Sequence, residues 1–280
     1  MKFEIAYKII RSTSKVGVLN SLVYRWDFLM SLASGLMNFL VQLIFWPVFY
    51  GADTLNKTTV SNATIAGYNL NEIISYSVLV YILQFGIATV AIGNVIKSDI
   101  MNGDLNINLI RPFNYLCYRL VLAFSQQLFV FLISVIAFLL ISGLLNVTII
   151  LPKKCYIVFL FILSILLSYV LSFLLSCMVG MLAFWMLETS SLDILYKGIM
   201  LIMSGSIFPL DYIGGIAGFI IRYLPFSYMV YFPVKLFLGS FSIYKLLMDF
   251  LIGILWATIL FIAVIKMWQN GIKRFSAFGD

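Results

Sequence analysis

Residues 155–187 read CYIVFLFILSILLSYVLSFLLSCMVGMLAFWML, a run without a single charged side chain. About 20 predominantly apolar residues are enough to cross the hydrocarbon of a bilayer as an α-helix. This run is longer than a crossing requires, so we expect a helix that tilts or continues beyond the membrane. Within hydrocarbon every backbone N–H and C=O group must be bonded inside the protein, which a helix achieves by itself. The run therefore predicts a membrane-spanning helix.

The composition of the whole chain agrees with this prediction. Of its 280 residues 63% are apolar and 10% are charged, whereas about a quarter of the residues in a soluble domain are charged. The net charge is +7, but a mean hydropathy of +1.07 excludes a basic nucleic-acid-binding protein. We therefore interpret the basic excess as a signal of membrane orientation.

Charged residues, Pro and Gly divide the chain into six apolar stretches, each expected to cross the membrane. The fold class predicted is an all-α integral membrane protein with a single transmembrane domain over 1–280. The short fifth stretch is followed by an apolar segment broken by Gly and Pro, 209–233, which we interpret as a re-entrant or surface-lying external hairpin before the last span. The predicted spans are 28–50, 72–95, 117–145, 155–187, 194–210 and 242–266.

Positive charges set the orientation of these spans. With six spans, twelve of the 18 Lys and Arg residues fall on the side of the two termini and six on the other side. Because basic residues are enriched in cytoplasmic loops, both termini are predicted to be cytoplasmic, including a tail over 267–280.

The segment before the first span is predicted to be an amphipathic helix. Over residues 3–20, Lys8, Arg11 and Lys15 fall within one arc, while Phe3 and Ile10 fall on the opposite side. Such a helix lies on the inner surface of the membrane. We expect 1–27 to form a cytoplasmic interfacial helix, either as an anchor on membrane lipid alone or as a surface that also contacts a partner subunit.

The sequence contains no recognisable catalytic or metal-binding motif. The chain has no His and three scattered Cys, so no zinc site, metal site or His-based catalytic group is predicted. It contains no GxxxxGK[ST] loop, so ATP and its Mg²⁺ must be bound by another chain if they are used. Acidic residues are almost missing from the predicted spans and lie at or near the span ends, which disfavours an ion-driven secondary transporter without excluding it. A membrane assembly factor is the other alternative.

Two spans carry uncharged polar stripes with a spacing of four residues, which places each stripe on one helix face. Small residues on such a face commonly serve close helix packing, and the alternative is a weakly polar translocation pathway or a subunit interface. Packing is favoured for the serine stripe, whereas the two interpretations are balanced for the amides. The stripes are Ser34, Asn38 and Gln42 in the first span and Ser164, Ser168, Ser172 and Ser176 in the fourth.

The loop after the second span, 100–113, contains a short helix of alternating apolar and polar residues between Gly103 and Pro112. Such a helix could enter a groove on a partner or rest on the membrane surface. We expect Leu105, Leu109 and Ile110 to supply its apolar contacts, with polar contacts at the rim from the neighbouring charged residues. Those two residues are Asp104 and Arg111.

The order of these features resembles the type-two ABC exporter permeases, and in particular their bacterial branch with two related permease chains. The resemblance spans nearly the whole chain. It rests on a G-x-L-x-x-x-L-[IL]-R-P loop (Gly103, Leu105, Leu109, Ile110, Arg111, Pro112), an S-G-x-x-x-P-L turn (Ser204, Gly205, Pro209, Leu210), an L-P-F step (Leu224, Pro225, Phe226) followed by Pro233 and Gly239, and a Gly-x-Lys-Arg-[FY]-Ser tail at 271–276.

The resemblance implies a function as well as a topology. It implies an elbow helix at 3–20, a coupling helix at 100–113 that docks on the ATPase, and short external re-entrant helices at 210–233. It also implies a permease in the bacterial cytoplasmic membrane that exports a drug, peptide or lipid-like substrate. The partners implied are ABC ATPase subunits, which hold ATP and Mg²⁺, and a second permease copy or paralogue.

Overall fold

The charge-free run forms a helix of 27 residues, Cys155–Met181, which a single 3₁₀ turn, Leu182–Phe184, extends. The computed structural model describes residues 2–23, 25–51, 64–87, 90–110, 114–144, 150, 152, 154–186, 190–239 and 243–276. Over these residues the secondary structure is helical, without β-strands; Ile65 and Tyr68 form one isolated backbone pair in a turn. The all-helical prediction is confirmed for this part of the chain.

Helices of very different length follow one another in the described residues. They are α1 (Lys2–Val23), α2 (Arg25–Phe49), α3 (Leu70–Ile87), α4 (Val90–Met101), α5 (Asp104–Leu109), α6 (Tyr115–Leu144), α7 (Cys155–Met181), α8 (Ser190–Met203), α9 (Gly215–Tyr223), α10 (Tyr231–Phe237) and α11 (Ile243–Ser276).

Four helical segments in the described residues are long and apolar enough to cross a membrane: Leu29–Phe49, Tyr115–Leu144, Cys155–Phe184 and Tyr244–Phe275. The apolar part of α3, Leu70–Phe85, is shorter. These helices are those of an integral membrane protein, and the count of six crossings stays a prediction.

The fifth predicted span, 194–210, does not form one helix. Helix α8 ends at Met203, and residues 204–209 are irregular. Gly205 has φ 78°, a left-handed conformation that a helix does not contain, and Pro209 directly precedes the next 3₁₀ turn, Leu210–Tyr212. The chain therefore leaves the helix several residues earlier than the hydropathy indicated, because apolar character continues through a segment whose Gly and Pro end the helix.

Helix α7 is the centre of the main core, since it packs against α3, α4, α10 and α11. A second, smaller apolar cluster lies between α2, α3 and α6. In it the rings of Phe39, Tyr81 and Phe138 pack together, with 5.9 Å between the centroids of each pair. Helix α1 runs along α6. Large apolar side chains remain exposed on α2, α6, α7 and α11, as contact with lipid requires.

Candidate functional site

A sharp turn at Gly103 separates α4 from α5. Gly103 has φ 80°, a left-handed backbone conformation that would strain a residue with a side chain by about 1 to 2 kcal/mol. The Gly103 carbonyl accepts a hydrogen bond from the backbone N–H of Asn106 at 3.1 Å. The amide of Asn108 donates to the Asp104 carbonyl at 3.2 Å. The predicted short helix in this loop is therefore present, held as a compact turn of six residues.

The side chains of α5 divide between the interior and the surface. Leu105 is fully buried in the main core, so it offers no contact to a partner, and the expectation for this residue is wrong. Leu109 and Ile110 are 39% and 84% exposed, and Ile107, which was not singled out from the sequence, is 61% exposed. Asp104 is also exposed. Arg111 and Pro112 lie outside the described residues.

A charged network lies beside this turn, at the end of α4. Arg119 and the hydroxyl of Tyr115, both on α6, donate hydrogen bonds to the buried carboxylate of Asp99. The Tyr115 ring stacks on Trp268 of α11 with 5.1 Å between centroids. Lys97, which like Asp99 belongs to α4, forms an ion pair with Asp193 of α8 at 3.4 Å. The end of α4 is thus bonded to α6 and α8, and Tyr115 of α6 in turn contacts α11.

Sequence reasoning missed this network. Asp99 and Arg119 lie near the ends of the second and third predicted spans, but the sequence does not show which charged side chains pair across a helix bundle. The useful signal is their placement on the same predicted side of the membrane.

A cavity of about 500 Å³ lies between α2, α3 and the segment after α8. Asn38 and Gln42 line it, together with Gln84 and Ser206 among mostly apolar neighbours. The Gln42 amide donates to the Ile207 carbonyl at 3.3 Å, and the exposed Asn38 donates to the Ser34 carbonyl at 3.1 Å. The structure therefore places two members of the first polar stripe in a cavity. Ser34 is exposed and does not line it.

The serine stripe of α7 lies elsewhere, inside the main core. Ser164, Ser168, Ser172 and Ser176 are all buried. Ser168 donates to the Tyr228 carbonyl at 2.8 Å, and Ser172 donates to the Ile87 carbonyl at 3.1 Å. One turn further, a Cβ on Gly180 would come within 2.5 Å of the Gly93 carbonyl oxygen. The small stripe lets other segments approach α7 closely, as the packing interpretation requires.

The predicted external turn after α8 is built from buried groups. The Gly205 carbonyl accepts the Tyr76 hydroxyl at 2.6 Å, and the Ser204 carbonyl accepts the Tyr231 backbone N–H at 2.9 Å. A Cβ on Gly205 would lie 2.9 Å from both tyrosines. Pro209 is buried and directly precedes the 3₁₀ turn at Leu210–Tyr212. Further along, Pro225 is buried, and the Phe226 carbonyl accepts the backbone N–H of Met229.

Asp211 is the centre of a polar network in the same region. Lys235 and Tyr68 donate to its Oδ2 at 2.5 and 2.8 Å, and Tyr231 donates to its Oδ1 at 2.8 Å. Arg222 lies 3.4 Å from the same oxygen. Burial alone would raise the pKa of Asp211, but the hydrogen bonds and the positive charge of Lys235 hold that pKa below its ordinary value.

Comparison with known proteins agrees with this architecture. Residues 36–279 match the family described as ABC-2 family transporter protein. The chain belongs to this family. The match begins within α2 of this ABC-2 transporter and continues through α3 to α11, so it includes the Gly103 turn, the cavity and the Asp211 network. The match confirms an ABC-2 type permease, and the membrane-permease role follows from it. No curated protein matches the chain significantly.

Proposed function

We propose that this ABC-2 transporter is the exporting permease subunit of an ATP-binding-cassette complex, in which separate ABC ATPase subunits bind ATP and Mg²⁺. In this proposal the chain crosses a bacterial cytoplasmic membrane six times, with α1 on the inner surface and both termini in the cytoplasm. A second copy or a paralogous permease completes the complex. Drug, peptide and lipid-like substrates are the classes proposed.

The observation that carries the proposal is the division of α5 between core and surface. Leu105 fixes the helix to the core, while Ile107 and Ile110 point outward. Exposed apolar side chains on a short rigid helix suit a groove on a partner protein. The Asp99 and Lys97 pairs at the end of α4 join it to α6 and α8, so a displacement of α5 by the ATPase would be passed into the bundle.

The cavity between α2 and α3 supports a pathway at the border with a second permease. Its lining mixes the amides of Asn38, Gln42 and Gln84 with aromatic and aliphatic side chains. Neighbouring residues of α2 leave large apolar surfaces uncovered, for example Met37 and Ile44 at 65% and 70% exposure. A second permease packed on α2 would cover part of this surface and enclose the cavity.

The test is a change to the exposed face of α5 in the permease co-expressed with its ATPase subunit. Because each apolar anchor in a docking site contributes about 1 to 2 kcal/mol or more, Ile107→Asp with Ile110→Asp should weaken ATPase association by about tenfold or more. The permease should still insert and purify, since neither side chain is buried.

The matched control is Ile216→Asp with Ile220→Asp on α9, two exposed isoleucines at 80% and 54%. That variant should retain the ATPase. Equal ATPase binding by the α5 variant and the wild-type permease would show that α5 is not the docking element and would contradict the proposed coupling.

A further inference from the structure

A second cavity, of about 200 Å³, lies where α11 begins, beside α9 and α10. This volume holds roughly six or seven water molecules, or one small polar group. Three charged side chains line it, Arg222, Lys245 and Asp249, and aromatic rings including Tyr223, Tyr228 and Phe232 form most of the remaining wall.

Asp249 is the unusual member of this lining. The residue is only 9% exposed, yet its carboxylate accepts no hydrogen bond from the described residues. The charges that act on it are those of Lys245, one turn earlier on α11, and Lys235 of α10. Asp249 lines the cavity, where a ligand that carries a hydrogen-bond donor would give its carboxylate a partner.

The signs of the charges restrict that ligand. A simple anion would be repelled by the carboxylate of Asp249, and a simple cation would be repelled by Arg222 and Lys245. A molecule with a phosphate and an ammonium group satisfies both, because the ammonium can pair with Asp249 against aromatic faces while the phosphate faces the two basic side chains. Arg222 retains its 3.4 Å contact with Asp211 in this arrangement.

The surroundings of the cavity indicate that the ligand carries acyl chains. On α9, Phe219 lines the cavity and is 61% exposed. On α11, Met248 and Leu255 lie on the side next to Asp249 and are about half exposed. Tyr223 and Tyr228 line the cavity, and tyrosines are enriched at the headgroup level of a membrane. Trp256, further along α11 than Asp249, donates its indole N–H to the Tyr223 carbonyl at 2.8 Å.

We propose that this cavity binds the headgroup of a zwitterionic phospholipid, with the ammonium on Asp249 and the phosphate near Lys245 and Arg222. The acyl chains then run along the exposed side of α11. This site is separate from the cavity at Asn38 and Gln42, and its occupation does not depend on the ATPase.

The experiment is native mass spectrometry of the purified full-length protein after delipidation and incubation with defined lipids. Dioleoyl phosphatidylethanolamine is compared with dioleoyl phosphatidylglycerol, which has the same chains and no ammonium. Wild-type protein should retain the first lipid about tenfold better. Asp249→Asn, which keeps the side-chain shape, should abolish this preference, whereas Lys245→Gln should weaken binding of both lipids.

Asp193→Asn is the matched control, because this carboxylate pairs with Lys97 on α4, away from the cavity, and should leave lipid binding unchanged. Lys245 is exposed, so unchanged binding of both lipids by Lys245→Gln would overturn the proposal even if Asp249→Asn does not fold. Equal retention of the two lipids, or an unchanged preference in Asp249→Asn, overturns the proposal. Free phosphoethanolamine or inorganic phosphate that competes as well as the intact lipid would show a soluble-ligand site and would also overturn it.

Discussion

Lys235 of α10 donates a 2.5 Å hydrogen bond to the carboxylate of Asp211, 24 residues earlier in the chain. This contact joins the irregular segment after α8 to α10. The carboxylate also accepts the hydroxyls of Tyr68 and Tyr231, so one side chain connects three parts of the chain. The segment after α8 is thus held by the Asp211 ion pair and by the hydrogen bonds to the Ser204 and Gly205 carbonyls rather than by regular secondary structure.

The first prediction is that Asp211 stabilises the protein in a pH-dependent way. Its folded pKa lies below the ordinary value of 3.8, so the unfolded state binds the proton more readily. The stabilisation is therefore complete above about pH 4 and is lost as the pH falls through the lowered pKa. At neutral pH, Asp211→Asn should cost about 3 kcal/mol or more, because Lys235 then lacks its buried partner.

Thermal unfolding of the purified wild type and Asp211→Asn, followed from pH 7 to about pH 3, measures this effect. The difference between the two proteins should be constant near neutrality and shrink at the acid end. Tyr212→Phe, which removes a hydroxyl 2.9 Å from Tyr50 but no bond to Asp211, should show a smaller difference that does not vary with pH. A difference for Asp211→Asn that persists unchanged to pH 3 would contradict the assignment.

The second prediction concerns the approach of α4 to α7. A Cβ on Gly180 would lie 2.5 Å from the Gly93 carbonyl oxygen, and this backbone atom cannot move aside as a flexible side chain can. Gly180→Ala should therefore destabilise the protein by about 1 to 3 kcal/mol. Gly198→Ala is the control, since Gly198 lies in α8 with no heavy atom within 4 Å of its Cβ position. That change should be neutral or stabilising by up to about 1 kcal/mol. Equal melting temperatures for the two variants would rule out the close contact.

The third prediction is that the polar residues of the 500 Å³ cavity serve transport or subunit assembly. Asn38→Leu combined with Gln42→Leu should lower ATP-dependent transport or the fraction of cross-linked permease pairs, because the variant removes both amides of α2 from the lining. Ser34→Ala on the same helix should have little effect, since Ser34 does not line the cavity. If transport and assembly both remain at the wild-type level in the double variant, the amides have no such role.

The fourth prediction uses natural cysteines to test the orientation. Cys117 near the start of α6 and Cys155 at the start of α7 are exposed, whereas Cys177 is buried. With both termini in the cytoplasm, a membrane-impermeant maleimide should label Cys155 in intact cells, and Cys117 only after permeabilisation. Cys155→Ser should remove the label from intact cells. Labelling of Cys117 but not Cys155 in intact cells would show that the predicted orientation is reversed, with α5 outside the cell.

Hydropathy and helix-breaking residues were sufficient to predict the helical class and a short helix after Gly103, whereas the cytoplasmic termini indicated by the positive charges stay a prediction. These are local properties: a residue such as Gly103 needs its left-handed conformation whatever surrounds it, and a charge-free run such as 155–187 must satisfy its backbone within a helix. The order of short motifs was sufficient to indicate the family, which the match over 36–279 confirms.

Only the tertiary structure decided which face of each helix is buried in the core and which face stays exposed to a partner, a cavity or the surface. Leu105 and Ile107 are both apolar residues of α5, but packing buries the first and exposes the second. In the same way, the amides of Asn38 and Gln42 line a cavity while the serines of α7 enter the core. The pairs Asp99 with Arg119 and Asp211 with Lys235 also required the fold. Periodicity assigns a residue to a face of its own helix, but the helices that cover this face come from distant parts of the chain, so burial and charge pairing depend on how the whole bundle packs.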